Sequence, residues 1–488
     1  MSVDPSDPSR AASSDLRNHP SVQREQGLAR QLGVRQQAML AVGGAIGTGL
    51  FLGSGLSVAR AGPGVIISYV LAAVIALLLG FALTEMCVAH PTAGSFGVYA
   101  EMYLSPFAGY AVRLSYWMMQ VVSTGGHMVA VSIYMQYWFP RVPGAVWVVG
   151  FSLLLVWLNA RAVGVYGELE YWFVMIKVVA VVVFIMLGLG LLLGWTGKPA
   201  IGFRHFTADG GFFPMGLTGV WLACSFVIYS FIGVEVVAVT SGEAVNPERT
   251  IPRAMIRMIL GLSAIYITTV VVLVGIMPWK DAGAGESPFV TVLGRTGILG
   301  AAGLMNFVVL TAALSAANAN LYLVARTLFS LARAGFVPES VGRVNDRGTP
   351  VNALVTSSLG LALAVLVRWL WRDSAYVWFL GVALFGALLV WIMIFVVHLA
   401  FRRAWERVDR APLPFRSPVG RTGSVVGVLL VGAILVTTWW VPGLRSTLLA
   451  AGPWIAVLAV GYGFLRPKNE GAEPVAPPIP GPAGAATK

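Results

Sequence analysis

Two stretches of this sequence place helix-breaking and charged residues where an apolar helix would ordinarily carry neither. Gly43-Gly44-Ala45-Ile46-Gly47-Thr48-Gly49-Leu50-Phe51-Leu52-Gly53 packs four glycines, Gly43, Gly44, Gly47 and Gly49, into seven residues of the first apolar run. A bilayer offers no water to backbone groups released by a break, so such a run belongs where the break faces protein or a cavity. Glycine supplies flexibility and close approach at the expense of helix stability. On this reading the helix is interrupted so that main-chain N–H and C=O groups at Ala45, Ile46, Gly47, Thr48 and Gly49 meet a bound solute. A small-residue packing face is the competing reading, since Gly49 and Gly53 have GxxxG spacing. The second stretch, Ser230-Phe231-Ile232-Gly233-Val234-Glu235, sets a glycine and a carboxylate in the middle of another apolar run. An unpaired carboxylate at that depth is expensive, which makes Glu235 a candidate functional group. Glu243 lies about two helical turns further on. Lys177 stands on an otherwise apolar helix, roughly 8 Å inward from Trp172; it either snorkels to the surface or serves the interior.

The elements that must hold these groups are transmembrane helices. Of the 488 residues, 57% are apolar and only 11% charged, and the mean hydropathy is +0.79. A spanning helix needs about 20 apolar residues, and the chain has room for about a dozen. Spans are predicted at 37–59, 64–89, 106–138, 144–160, 165–194, 216–242, 254–277, 296–325, 352–371, 375–401, 423–442 and 447–465. Residues 1–36 and 466–488 read as disordered tails, and the first lacks the apolar core of a secretory signal. The formal charge is +12, but its distribution points away from nucleic acid. Of the 33 Lys and Arg residues, 22 stand at the N-terminal side of the membrane and nine at the other, Arg257 and Arg368 counted at the span ends they lie near, with Arg113 and Lys177 deeper inside spans. The positive-inside rule then puts both termini in the cytoplasm, which places the protein in the cytoplasmic (inner) membrane. Arg402, Arg403, Arg407, Arg410, Arg416 and Arg421 read as a solvated cytoplasmic loop. Arg113 is expected to snorkel.

Spans one and six stand five apart. Paired interruptions in two halves of a chain point to a transporter site built on inverted repeats. Each broken helix presents an inner N-terminus with partial positive charge and an inner C-terminus with free carbonyls. A zwitterion fits that pair: its carboxylate meets the N–H groups, and its ammonium meets the carbonyls and Glu235. Cys87 and Cys224 read as inert packing residues, and the five histidines show no metal-ligand spacing. Gly47-Thr48-Gly49 fails as a dinucleotide loop because no strand precedes it. A membrane enzyme moving a lipid or acyl group would need a polar catalytic cluster at the interface, and a channel suits paired breaks poorly.

Gly44-Ala45-Ile46-Gly47-Thr48-Gly49, the linker from Pro91 to Tyr99, Phe231-Ile232-Gly233-Val234-Glu235, and Gly242-Glu243 followed by Asn246-Pro247 and Ile251-Pro252 resemble the amino acid–polyamine–organocation permeases. So does Ser315-Ala316-Ala317-Asn318 with Leu321-Tyr322 and Arg326. The resemblance runs from about 37 to 465 and is strongest to the bacterial amino acid permease branch, which includes D-alanine/serine/glycine, aromatic and GABA carriers. It implies an all-α polytopic, LeuT-like fold of twelve helices in a five-plus-five inverted repeat. The first repeat would cover 37–194, the second 216–401, with two further helices at 423–465 and helices one and six unwound. It implies an amino acid bound at Ala45–Gly49 and at Phe231, Ile232, Gly233 and Glu235, taken up with a proton as coupling ion and no other cofactor. Lys177 matches a helix-five lysine standing where sodium-coupled relatives bind their ion, which gives it a proton-coupling role. Glu243 and Glu85 take gating or proton-relay roles by the same resemblance. His127 replaces a helix-three acid found in many relatives; with the apolar Ile232 it favours a neutral substrate. An exchanger and a GABA or cationic amino acid permease remain alternatives. The expected partners are the amino acid, the proton and membrane lipids, with the chain a monomer or weak homo-oligomer and no nucleic acid involved.

Overall fold

The computed structural model describes residues 45–465 apart from 93, 162, 196–198, 240, 242–246, 284–285, 297, 344–350, 371–373, 408–412 and 414. The expectations for Gly43, Gly44, Glu243 and the two tails therefore lie outside the described residues. Within them every regular element is helical. A π-helical turn, Gly49–Gly53, runs into α1 (Ser54–Ala61), and a turn at Gly62–Gly64 reverses the chain into α2 (Val65–Ala89). A short α3 (Ser95–Tyr103) leads to α4 (Pro106–Trp138), α5 (Gly144–Arg161) and α6 (Val163–Leu193). The second half has α7 (Gly216–Val227), α8 (Val236–Val239), α9 (Pro247–Ile276), α10 (Pro288–Arg295) and α11 (Ala301–Arg333). It continues through α12 (Val351–Ser357), α13 (Leu359–Leu370), α14 (Ala375–Arg407), α15 (Gly420–Thr437), α16 (Arg445–Leu449) and α17 (Ala451–Leu465).

Among the described residues, nine stretches are long and apolar enough to cross a membrane. The protein is a polytopic helical membrane protein. The first two predicted spans form one of these stretches, Gly49–Ala89, while the third coincides with α4 and the fourth with the shorter apolar helix Gly144–Asn159. Apolar side chains such as Val179, Val182 and Met186 on α6, and Ile455, Val460 and Phe464 on α17, are exposed, as a lipid-facing surface requires. The buried centre is formed by α4 against α11 and α14, and by α2 against α9; α1 packs on α7 and α5 on α13.

Three expectations need correction. Arg113 does not snorkel. It is 3% exposed, and its Nη1 donates to Glu101 Oε2 at 2.9 Å, because α3 folds under the bundle and brings a carboxylate to it. That also explains the charge-poor linker from Pro91: Thr92, Ser95, Phe96 and Tyr99 are buried, with Tyr99 Oη donating to the His90 carbonyl at 2.6 Å. Arg402 is likewise no part of a solvated loop; it is 5% exposed and paired with Glu85 at 2.6 Å. Pro252, expected from the turn formers that precede it to start the next helix, does not open it either. It lies inside α9, which begins at Pro247, and near a helix start a proline removes a single backbone bond.

Candidate functional site

Helix one bends at Ile46 and Gly47 and turns helical again at Thr48. Three carbonyls at and beside this bend are held by three other helices. Tyr266 Oη on α9 donates to Ala45 O at 2.8 Å, Lys177 Nζ on α6 to Ile46 O at 3.0 Å, and Tyr376 Oη on α14 to Thr48 O at 3.1 Å. Lys177 is fully buried and donates also to Ser315 Oγ on α11 at 3.0 Å. It therefore bridges the break to the eighth predicted span and does not reach the surface. Beyond the break, Ser287 Oγ donates to Phe51 O at 2.7 Å, and the Phe51 ring packs edge-on against Phe289 with centroids 5.0 Å apart.

Helix six breaks differently. After α7 comes one 3-10 turn, Ile228–Phe231, then Ile232 in an extended conformation with φ −62° and ψ 135°. Gly233 follows at φ 106°, a region that a side chain would strain, and α8 resumes the helix. The Gly233 N–H donates to both carboxylate oxygens of Glu235, at 3.2 and 3.1 Å. The carboxylate thus closes the break of its own helix with charge-assisted hydrogen bonds. The two breaks touch: a Cβ on Gly49 would stand 2.9 Å from Ser230 Cα. Gly49, in the helical turn that follows the bend, thus serves close packing.

Between the breaks lies a cavity with about 400 Å³ of atom-free space, part of it continuous with solvent. Helix one lines it with Ala45, Gly47, Thr48 and Gly49, and helix six with Ile232 and Gly233. Of the remaining predicted residues only His127 borders it, its Nδ1 hydrogen-bonded to Thr48 Oγ1 at 2.9 Å. Ile46 and Phe231 are fully buried outside the lining. Glu235 and Lys177 stand behind the lining and shape it through Gly233 and Ile46. Glu85 is not in this site.

Gln120 and Ser123 on α4, Asn320 and Leu323 on α11, and Tyr229 and Val236 complete the wall. Sequence reasoning missed all six. A signal was present on helix three: Gln120, Ser123 and His127 fall three and four apart, a polar stripe along one face of an apolar helix. None of the lining side chains is Asp, Glu, Lys or Arg. Among the described residues no group of three or more His, Cys, Asp or Glu is placed to hold a metal ion, and Cys87 and Cys224 are both buried and unpaired.

Residues 36–465 match the family model for amino acid permeases. This chain belongs to the amino acid permease family. The aromatic amino acid transport protein AroP of Escherichia coli (strain K12) is 38% identical over 437 residues, which is 90% of this chain and 95% of that one. AroP of Salmonella typhimurium (strain LT2) is 37% identical over 442 residues, covering 91% and 96%. A Bacillus subtilis (strain 168) protein named uncharacterized amino acid permease YtnA is 34% identical over 443 residues, covering 90% and 96%. The permease is a transporter, not an enzyme, and an integral membrane protein.

Proposed function

We propose that this permease imports a neutral amino acid across the cytoplasmic membrane by proton symport, with both termini cytoplasmic and alternating access to one central site. The observation that carries this reading is that both helix breaks border a single cavity whose side chains bear no formal charge. The zwitterion's carboxylate is received by the N–H groups of Thr48 and Gly49, where helix one starts again after the bend. Its ammonium meets carbonyls of the Tyr229–Ile232 turn, with the Glu235 carboxylate one residue behind the wall. The substrate side chain points between α4 and α11, where Gln120, Ser123 and Asn320 offer hydrogen bonds and Leu323 and Val236 apolar contact.

The twelve helices are read as two inverted repeats of five followed by two more. The packing of helices one, two, three and four on six, seven, eight and nine is what such a pairing of repeats produces. Lys177, hydrogen-bonded to helix one and to Ser315, takes the proton-coupling role, since loss of its proton would release the Ile46 carbonyl. The relatives named aromatic amino acid transport proteins put phenylalanine, tyrosine and tryptophan first among substrates to try.

The test is uptake by the purified protein in liposomes, with a panel of labelled amino acids and an imposed inward proton gradient. Accumulation of one or more neutral amino acids that collapses without the gradient is expected. Accumulation of none overturns the transport reading. Counterflow undiminished without a gradient would make it an exchanger.

A further inference from the structure

The Glu85 carboxylate, which the cavity does not use, sits fully buried at the end of α2. Arg402 of α14 is ion-paired to it, with Nε 2.6 Å from Oε1 and Nη2 donating a hydrogen bond to Oε2 at 2.8 Å. The Ser417 N–H, in the segment before α15, donates to Oε2 at 3.0 Å. His398 Nε2 stands 3.3 Å from the same oxygen, and its Nδ1 is 2.7 Å from Ser424 Oγ on α15. One turn beyond, His90 is hydrogen-bonded to Tyr103 of α3 and packs against the Phe401 and Trp405 rings of α14.

This cluster lies at the end of α14 remote from Tyr376, which holds the Thr48 carbonyl. Twenty-six residues of one unbroken helix separate Tyr376 from Arg402, or about 39 Å. The same helix therefore touches the helix-one break with one end and α2 with the other. On its other side α2 packs against the 3-10 turn of helix six and α8. Of the wall residues on α4 and α11, Gln120, Asn320 and Leu323 lie in the halves nearer that end, and Ser123 and His127 in the farther half of α4. Apolar side chains would join α2 to α14 without the desolvation that a buried ion pair entails. Ions suit a contact that must be packed in one state and hydrated in another, and a buried pair is all-or-none because one partner alone is strongly unfavourable there.

We propose that Glu85, His398 and Arg402 form a latch that holds α2 against α14 and narrows the cavity mouth on that side, and that its rupture opens the mouth. This rests on the transport reading above. The test needs no transport: Leu323→Cys is placed in the cavity wall with Cys87 and Cys224 replaced by alanine, and its alkylation by a small maleimide is timed in membranes. Glu85→Gln in that background is expected to raise the rate at least tenfold. Arg402→Lys, which keeps the charge and loses the Nη2 hydrogen bond to Oε2, should raise it about threefold, with substrate affinity within twofold of the parent in both. Rates within twofold of the parent in both variants, each eluting as a single folded species, would overturn the latch. Should Glu85→Gln not be recovered folded, Arg402→Lys decides alone by the same criterion. Unchanged alkylation beside normal uptake by the unsubstituted protein refutes the latch only, whereas an unsubstituted protein that accumulates no amino acid refutes the transport reading instead.

Discussion

At the helix-one break the carbonyls of Ala45, Ile46 and Thr48 are held by Tyr266, Lys177 and Tyr376, which arrive from three other helices. At the helix-six break the Gly233 N–H is held by Glu235, two residues along the same chain. Both arrangements satisfy polar groups that a bilayer would leave unpaired, yet they respond differently to motion. The first break keeps its shape only while α6, α9 and α14 stand where they do, so any shift of those helices is felt at Ala45–Gly49. The second carries its own closure and travels as a unit. On the transport account, helix one senses the state of the bundle and helix six presents a fixed turn to the substrate.

Removing the supports one at a time breaks or sharpens that contrast. Lys177→Met takes a charged donor from Ile46 O and leaves it buried, a loss of about 2–3 kcal/mol and so roughly 30–160-fold in rate. The initial rate of gradient-driven uptake into liposomes measures it, and accumulation at the parental rate would remove Lys177 from coupling. Glu235→Gln keeps an acceptor for Gly233 but loses the charge; uptake is expected to fall roughly tenfold while the protein still elutes as one folded species. Tyr376→Phe deletes one neutral hydrogen bond, about 1 kcal/mol, and should raise KM about fivefold with little change in maximal rate. Ser287→Ala, beyond the break and outside the cavity, should slow uptake by less than about twofold, because the neutral bond it removes holds Phe51 in a turn where the helix has already resumed. Should Ser287→Ala prove as damaging as Lys177→Met, the helix-one supports would be acting as general packing and not as a graded sensor.

The breaks themselves were legible because their residues are anomalous in an apolar helix: clustered glycines, and one mid-span glutamate next to a glycine. The helical, many-span architecture followed from hydropathy alone. The partners were hidden. A tyrosine such as Tyr266 or Tyr376 in an apolar run reads as packing, and only the fold reveals which carbonyl its hydroxyl finds. Arg113 and Arg402 misled for a related reason. A cation near a helix end has the same local sequence whether it bends to the surface or pairs inward, and Glu85 is 317 residues from Arg402. Glu235 was recognised as important, but its partner is the backbone of its own turn, which charge counting cannot anticipate.

The most direct test is whether both charged ends of the substrate are needed. Once the transported amino acid is known, its N-acetyl and methyl-ester forms are set to compete against the labelled parent for binding to the purified protein. Each blocked form should compete at least about a hundredfold more weakly than the free amino acid, since each removes one of two charge-assisted attachments. Blocked forms that compete as well as the free amino acid would mean that the paired breaks do not hold the zwitterion.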